Sequence, residues 1–132
     1  MKFVLSQALQ QQIAAEARAT FPRECCGLLE GDGVQAVALH IAKNISKDDD
    51  RFEIDPADHV RAQKAARANG HAIVGCYHSH PNGHAGPSPR DGDSEDGFLW
   101  LIAAVSGSDV SLSAFRRVGD GWQRLEIAEN PG

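Results

Sequence analysis

The chain has 132 residues, 42% hydrophobic and 23% charged, with 13 basic against 18 acidic side chains and a formal charge of −5. That length and balance describe one globular domain, 1–132, and exclude two independent cores or a disordered tail. The acidic sum argues against general nucleic-acid binding, which wants a basic surface.

Sorting signals are absent from the pattern. No apolar run reaches the roughly 18 residues of a membrane span. Met1-Lys2-Phe3-Val4-Leu5 turns polar at Ser6-Gln7, too early for a signal peptide. Three cysteines without CxxC spacing give neither a disulfide framework nor a zinc knuckle. A cytoplasmic chain with no membrane or nucleic-acid partner is expected.

Residues 6 to 20 read as a helix, with Ser6 as N-cap and Leu9, Ile13 and Ala17 on one face, ended by Pro22. The apolar run Cys25-Cys26-Gly27-Leu28-Leu29, the turn Gly31-Asp32-Gly33 and the alternating stretch from Val34 to Ile41 predict an antiparallel hairpin. On the second strand Val37, Leu39 and Ile41 share a face. Asp48-Asp49-Asp50 reads as a solvated loop, and Phe52-Glu53-Ile54 as a short extended piece. Asp55-Pro56 caps and starts a second helix that runs through Ala68 and stops at Asn69-Gly70.

Residues 71 to 77 predict a buried strand and 98 to 105 another. Between them, 78 to 97 carry three histidines, three prolines and a cluster of acids without periodicity, the mark of a functional loop. Residues 111 to 118, the turn Gly119-Asp120-Gly121 and 122 to 127 predict a last hairpin. The order α-β-β-α-β-loop-β-β-β implies an α/β fold with a mixed sheet flanked by helices.

The chemistry concentrates in Tyr77-His78-Ser79-His80-Pro81 and Pro87-Ser88-Pro89-Arg90-Asp91. In extended backbone, His78 and His80 point to one side. Asp91 can return across the loop as a third ligand, and two imidazoles with one carboxylate leave the open fourth position of a catalytic zinc site. Such a site keeps a net positive charge of about one and so acidifies water. His84 is an alternative third ligand. Asp91-x-Asp93-x-Glu95 hints at a calcium loop, but Asp96 and Ile102 stand where an EF-hand needs Gly and Glu. His40, His59 and His71 read as structural or surface residues, and Trp100 and Trp122 as packing.

These residues resemble the JAMM motif of MPN/JAB metalloproteases: an upstream glutamate, His-Ser/Thr-His-Pro, a spacer, and Ser-x-x-Asp. His78, Ser79, His80 and Pro81 match in order, and the stretch from Asn82 to Ser88 sets Ser88 and Asp91 in register. Upstream, Pro22-Arg23-Glu24-Cys25-Cys26-Gly27-Leu28-Leu29-Glu30-Gly31 is similar to the family's Pro-x-Glu-x-Cys-Gly-Leu-Leu-x-Gly, and Phe52-Glu53-Ile54-Asp55-Pro56 before a helix also fits. The likeness extends from about residue 5 to 127.

The resemblance implies a cytidine-deaminase-like MPN/JAB domain of the small prokaryotic type, holding Zn²⁺ on His78, His80 and Asp91. It implies that Glu24 is the general base, moving a proton from the attacking water to the leaving amine. Ser88 then stabilises the oxyanion or orients the water, while Ser79, on the opposite side of the strand, is structural. It further implies hydrolysis of the peptide or isopeptide bond after the C-terminal glycine of a ubiquitin-like or sulfur-carrier protein, whose Gly-Gly tail fits a narrow groove. Two rival readings are a non-catalytic MPN scaffold, opposed by the intact motif, and a cell-wall peptide hydrolase, opposed by the lack of an export signal.

Two departures stand out. Gly92 follows Asp91 where the family more often has an apolar residue, and Asp93 can compete for the metal. The acids Asp91, Asp93, Glu95 and Asp96 predict a substrate with a basic surface around its tail. Cys26 and Cys76 have the parity to face one region, as buried small residues or as a redox-sensitive disulfide.

Overall fold

A computed structural model describes residues 1–49, 51–87 and 96–130. Seven strands and two helices follow one another as β1 (Lys2–Val4), α1 (Gln7–Thr20), β2 (Cys26–Asp32), β3 (Gln35–Ala42), α2 (Pro56–Ala68), β4 (Ala72–His80), β5 (Leu99–Ser106), β6 (Asp109–Val118) and β7 (Gly121–Ala128). The sheet order is β1-β3-β2-β4-β5-β6-β7. β4 and β5 are parallel, whereas the β2–β3, β2–β4, β5–β6 and β6–β7 pairs are antiparallel. The short β1, not anticipated from its sequence, runs parallel to both β3 and β7 and joins the two ends of the sheet.

Local chemistry explains the element ends. The Ser6 hydroxyl accepts from the Leu9 amide at 3.3 Å, and the Asp55 carboxylate from the Ala57 amide at 2.9 Å with Pro56 in the first turn. Each such cap is worth about 1 kcal/mol. Gly33 and Gly119 adopt φ of 59° and 56° in the hairpin turns, where a side chain would be strained.

Alternation along the strands sends side chains to two cores. Leu29, Tyr77 and Leu101 pack with Ile13 and Ala17 of α1. Leu28, Cys76, Trp100, Ile102 and Phe115 pack with Ala62 of α2. The helices therefore cover opposite faces: α1 lies against β5 and β6, and α2 against β2, β3 and β4. The apolar face of β3 is only partly covered; Leu39 reaches the core, but Val37 and Ile41 remain 43% and 62% exposed.

β4 extends three residues beyond its expected end. His78-Ser79-His80 belongs to the strand, paired with Ile102, Ala103 and Ala104 of β5, and the irregular segment starts only after it. Among the described residues no helix is long and apolar enough to cross a membrane.

Candidate active site

The end of β4 sets the site. His78 pairs in register with Cys26 of β2 and Ile102 of β5, so both neighbours hold its backbone. His78 and His80 are 0% and 4% exposed, and their Nε2 atoms lie 3.0 Å apart. Glu24, 5% exposed, enters from the segment just before β2. The ligand atoms of Glu24, His78 and His80 all lie within 4.8 Å of one another, and among the described residues no other trio of His, Cys, Asp or Glu is so close.

Each ring is oriented by its surroundings. His80 donates from Nδ1 to the His84 carbonyl at 2.8 Å, which leaves its Nε2 lone pair directed at His78. His84 thus contributes its main chain; its ring is not part of the trio, against the alternative that made it a ligand. His78 is stacked on Phe52, with centroids 4.4 Å apart and 21° between planes, and meets the edge of Trp100 at 5.5 Å. Trp100 in turn meets Trp122 at 5.3 Å.

Ser79 faces the other side, as expected, and has a defined task. Its hydroxyl accepts from the Cys25 amide at 2.8 Å, and its own amide donates to the Cys25 carbonyl at 3.1 Å. The residue between the two histidines therefore fixes the residue after Glu24. Asn44 holds Glu24 from the other direction, donating to its carbonyl at 2.9 Å. Neither Asn44 nor the Phe52 stack was singled out in the sequence. An asparagine in a polar loop carries no signal of its own.

The donor set suits a divalent cation. Two imidazole nitrogens held by one tetrahedral zinc at about 2.0–2.1 Å would stand about 3.3 Å apart, close to the 3.0 Å between these Nε2 atoms. Ring nitrogens and carboxylate match zinc's preferences, and a buried carboxylate beside them favours a cation between. Ser88 and Asp91, the other two expected site residues, lie outside the described residues, as do Asp93 and Glu95. Asp96, counted among the acids of the site, instead accepts from the Gly119 amide at 2.8 Å and caps the β6–β7 turn.

The three cysteines are buried thiols, none of them in a disulfide. Burial pushes the Cys25 thiol up to about 11 and the Cys26 thiol up to about 12, so both stay protonated and unreactive. Cys76 packs in the core with Trp100.

A second polar cluster lies at the far end of β2. The Glu30 carboxylate, 1% exposed, meets His40 Nε2 at 2.8 Å, His71 Nδ1 at 2.7 Å and Asn69 Nδ2 at 3.1 Å. The His71 bond above all, with those of His40 and Asn69, holds its pKa down at about 2 against the effect of burial. His40 and His71 are structural, as read, but the carboxylate that employs them was not foreseen.

Residues 6–118 match the model of the prokaryotic homologs of the JAB domain. The chain belongs to this JAB family. It is 32% identical over 112 residues to a desampylase from Haloferax volcanii, covering 81% of this chain and 78% of that protein. It is 28% identical over 120 residues to the tail tip assembly protein K of Escherichia phage N15, covering 90% of this chain but only 45% of the phage protein. Among solved structures, a protein from Desulfitobacterium hafniense superposes with a TM-score of 0.85 at 29% identity, over 97% of this chain and 92% of that one. A JAB1/MPN domain protein from Archaeoglobus fulgidus superposes at 0.63 with 20% identity, over 96% and 98%, a likeness of fold.

Proposed function

We propose that this JAB-family protein is a zinc-dependent peptidase that hydrolyses the amide bond after the C-terminal glycine of a ubiquitin-like or sulfur-carrier protein. The observation that carries this reading is the buried trio of Glu24, His78 and His80 at the end of β4, with ligand atoms within 4.8 Å. Similarity to a desampylase supports a substrate of the ubiquitin-like modifier kind. In this reading residues 1–132 form one JAB domain that acts in the cytoplasm.

His78, His80 and Asp91 would hold the metal. Zinc supplies a Lewis acid and a water made acidic enough to ionise near neutral pH. Glu24 stands within reach of the same point and serves as base, taking the proton of the attacking water and passing it to the leaving amine. Ser88 donates toward the developing oxyanion. Burial of Glu24 and both histidines keeps bulk water out, which strengthens each of these interactions.

The test is incubation with ubiquitin-like fusions that carry a Gly-Gly tail, with and without chelator. Cleavage after the terminal glycine, lost with chelator and restored by zinc, is expected. Chelator-insensitive cleavage would remove zinc from the reaction. A second reading, which a phage-linked context such as the similarity to a tail tip assembly protein would allow, is hydrolysis of cell-wall peptides at the same site. Release from wall peptides in place of cleavage of any fusion would select it.

A further inference from the structure

We propose that Asn44 is a positioning residue of this site, whose single amide group holds both the main chain of Glu24 and the phenyl ring stacked on His78. The inference rests on the roles given above to Glu24 and His78.

A side-chain amide offers two donors and two acceptor lone pairs, and Asn44 uses all four. Its Nδ2 donates to the Glu24 carbonyl at 2.9 Å and to the Arg51 carbonyl at 3.2 Å. Its Oδ1 accepts from the Ser46 and Glu53 amides, both at 3.0 Å. The Arg51 carbonyl and the Glu53 amide belong to the two peptide groups that flank Phe52, so Asn44 grips Phe52 from both sides. The segment it closes is already clamped at its base, where Ile45 donates to Glu53 at 2.9 Å and Asp55 to Lys43 at 3.0 Å. Phe52 then lies flat on His78 at 4.4 Å.

The consequence is a mechanical link. Glu24 and His78 come from different segments, and their separation decides whether base and metal ligand address one point. Ser79 sets the β4 side of that separation through Cys25. Asn44 sets the other side, because moving Phe52 relative to Glu24 would break bonds at one end of the same rigid amide. The link is made by a neutral amide on main-chain groups, so it adds no charge beside the trio.

The test uses the full chain with Asn44→Ala, Asn44→Asp, Phe52→Leu and the double variant Asn44→Ala/Phe52→Leu. Asn44→Asp keeps both acceptors and turns an oxygen toward the two carbonyls. The first readout needs neither metal nor substrate. The His78 ring protons carry the ring-current shift of Phe52, and Asn44→Ala should move them in the same direction as Phe52→Leu.

The second readout is zinc affinity by competition with a chromophoric chelator. It is expected to fall about 10–100-fold in Asn44→Ala, the usual effect of losing a group that orients a metal ligand. In turnover, kcat should fall while KM stays within about twofold, since the change acts through the base and the metal ligand. The double variant should lose little more than the worse single variant.

Wild-type His78 resonances and wild-type zinc affinity in Asn44→Ala would overturn the proposal even if the melting temperature fell, because that pattern is loop stabilisation alone. Losses that multiply in the double variant would overturn it too. If Asn44→Ala does not fold, Asn44→Asp and Phe52→Leu carry the same comparisons. A wild-type chain that binds zinc yet cuts no ubiquitin-like tail would overturn the proposed substrate and leave these readouts in force.

Discussion

His80 is oriented at both ring nitrogens. One donates to the His84 carbonyl and the other faces His78 Nε2, so the ring needs no rearrangement to bind a cation. Replacing a ligand should therefore remove the ion: His78→Ala is expected to reduce bound zinc from about one per chain to nearly none. Metal analysis of the purified variant checks this, and full occupancy would refute the assignment. Glu24 separates from the ligands by function. Glu24→Gln should retain zinc while kcat falls by about 10²–10⁴-fold, the usual contribution of a general base. Loss of zinc in that variant would make Glu24 a ligand.

The cysteines give a further test at this scale. With all three thiols buried and outside disulfides, a thiol reagent should count almost none in the native protein and three after unfolding without reductant. One remaining thiol in the unfolded chain would reveal a disulfide, and peptide mapping would show whether it joins Cys26 to Cys76.

At the scale of elements, β2 and β4 carry the site, and their close contact depends on a glycine. The Tyr77 ring occupies the space a Cβ at residue 27 would take. Tyr77 cannot withdraw easily, because it is fully buried and its hydroxyl donates to the Glu16 carboxylate at 2.7 Å. Gly27→Ala should therefore destabilise the fold by about 1–3 kcal/mol, the cost of overpacking. Adding Tyr77→Leu to the same chain should recover part of it. Denaturant unfolding measures both, and a Gly27→Ala chain as stable as the wild type would show that the ring can move. Burial holds the Glu16 pKa above the ordinary carboxylate value, with the Tyr77 bond opposing, and the contact joins α1 to the sheet.

For the whole molecule, the Glu30 cluster ties β2 and β3 to the turn that leads from α2 into β4. Glu30 is lowered from 4.5 to about 2 in the folded chain. A carboxylate lowered by folding contributes stability that is fully present above its unfolded value and is lost as pH falls through its folded value. Unfolding free energy of the metal-free protein should thus decline between about pH 4.5 and pH 2, and Glu30→Gln should flatten that slope. An unchanged slope would show that other groups govern acid unfolding. Removing the carboxylate outright, with Glu30→Ala, should cost roughly 3 kcal/mol at neutral pH, because three donors lose a buried partner.

Much of this was legible from residues alone, where the signal is local. Both helices, their caps at Ser6 and Asp55, and the hairpin turns follow from short-range backbone chemistry, which acts the same way in any fold. The HxH spacing determined that His78 and His80 share a side, since the period of a strand is two. Signals that depend on partners far away in the chain were not legible. The alternation put Val37, Leu39 and Ile41 on one face, but how much of that face is buried is decided by where a helix lies, and α1 lies elsewhere. The tasks of Glu30, Asn44 and Phe52 arise from contacts with residues up to 41 positions away. The chain's own pattern thus determined which groups carry the chemistry and which way they point. Only the tertiary structure decided that Glu24 meets the two histidines, because closing a 54-residue separation from Cys25 to Ser79 rests on strand pairing and packing rather than on local preference.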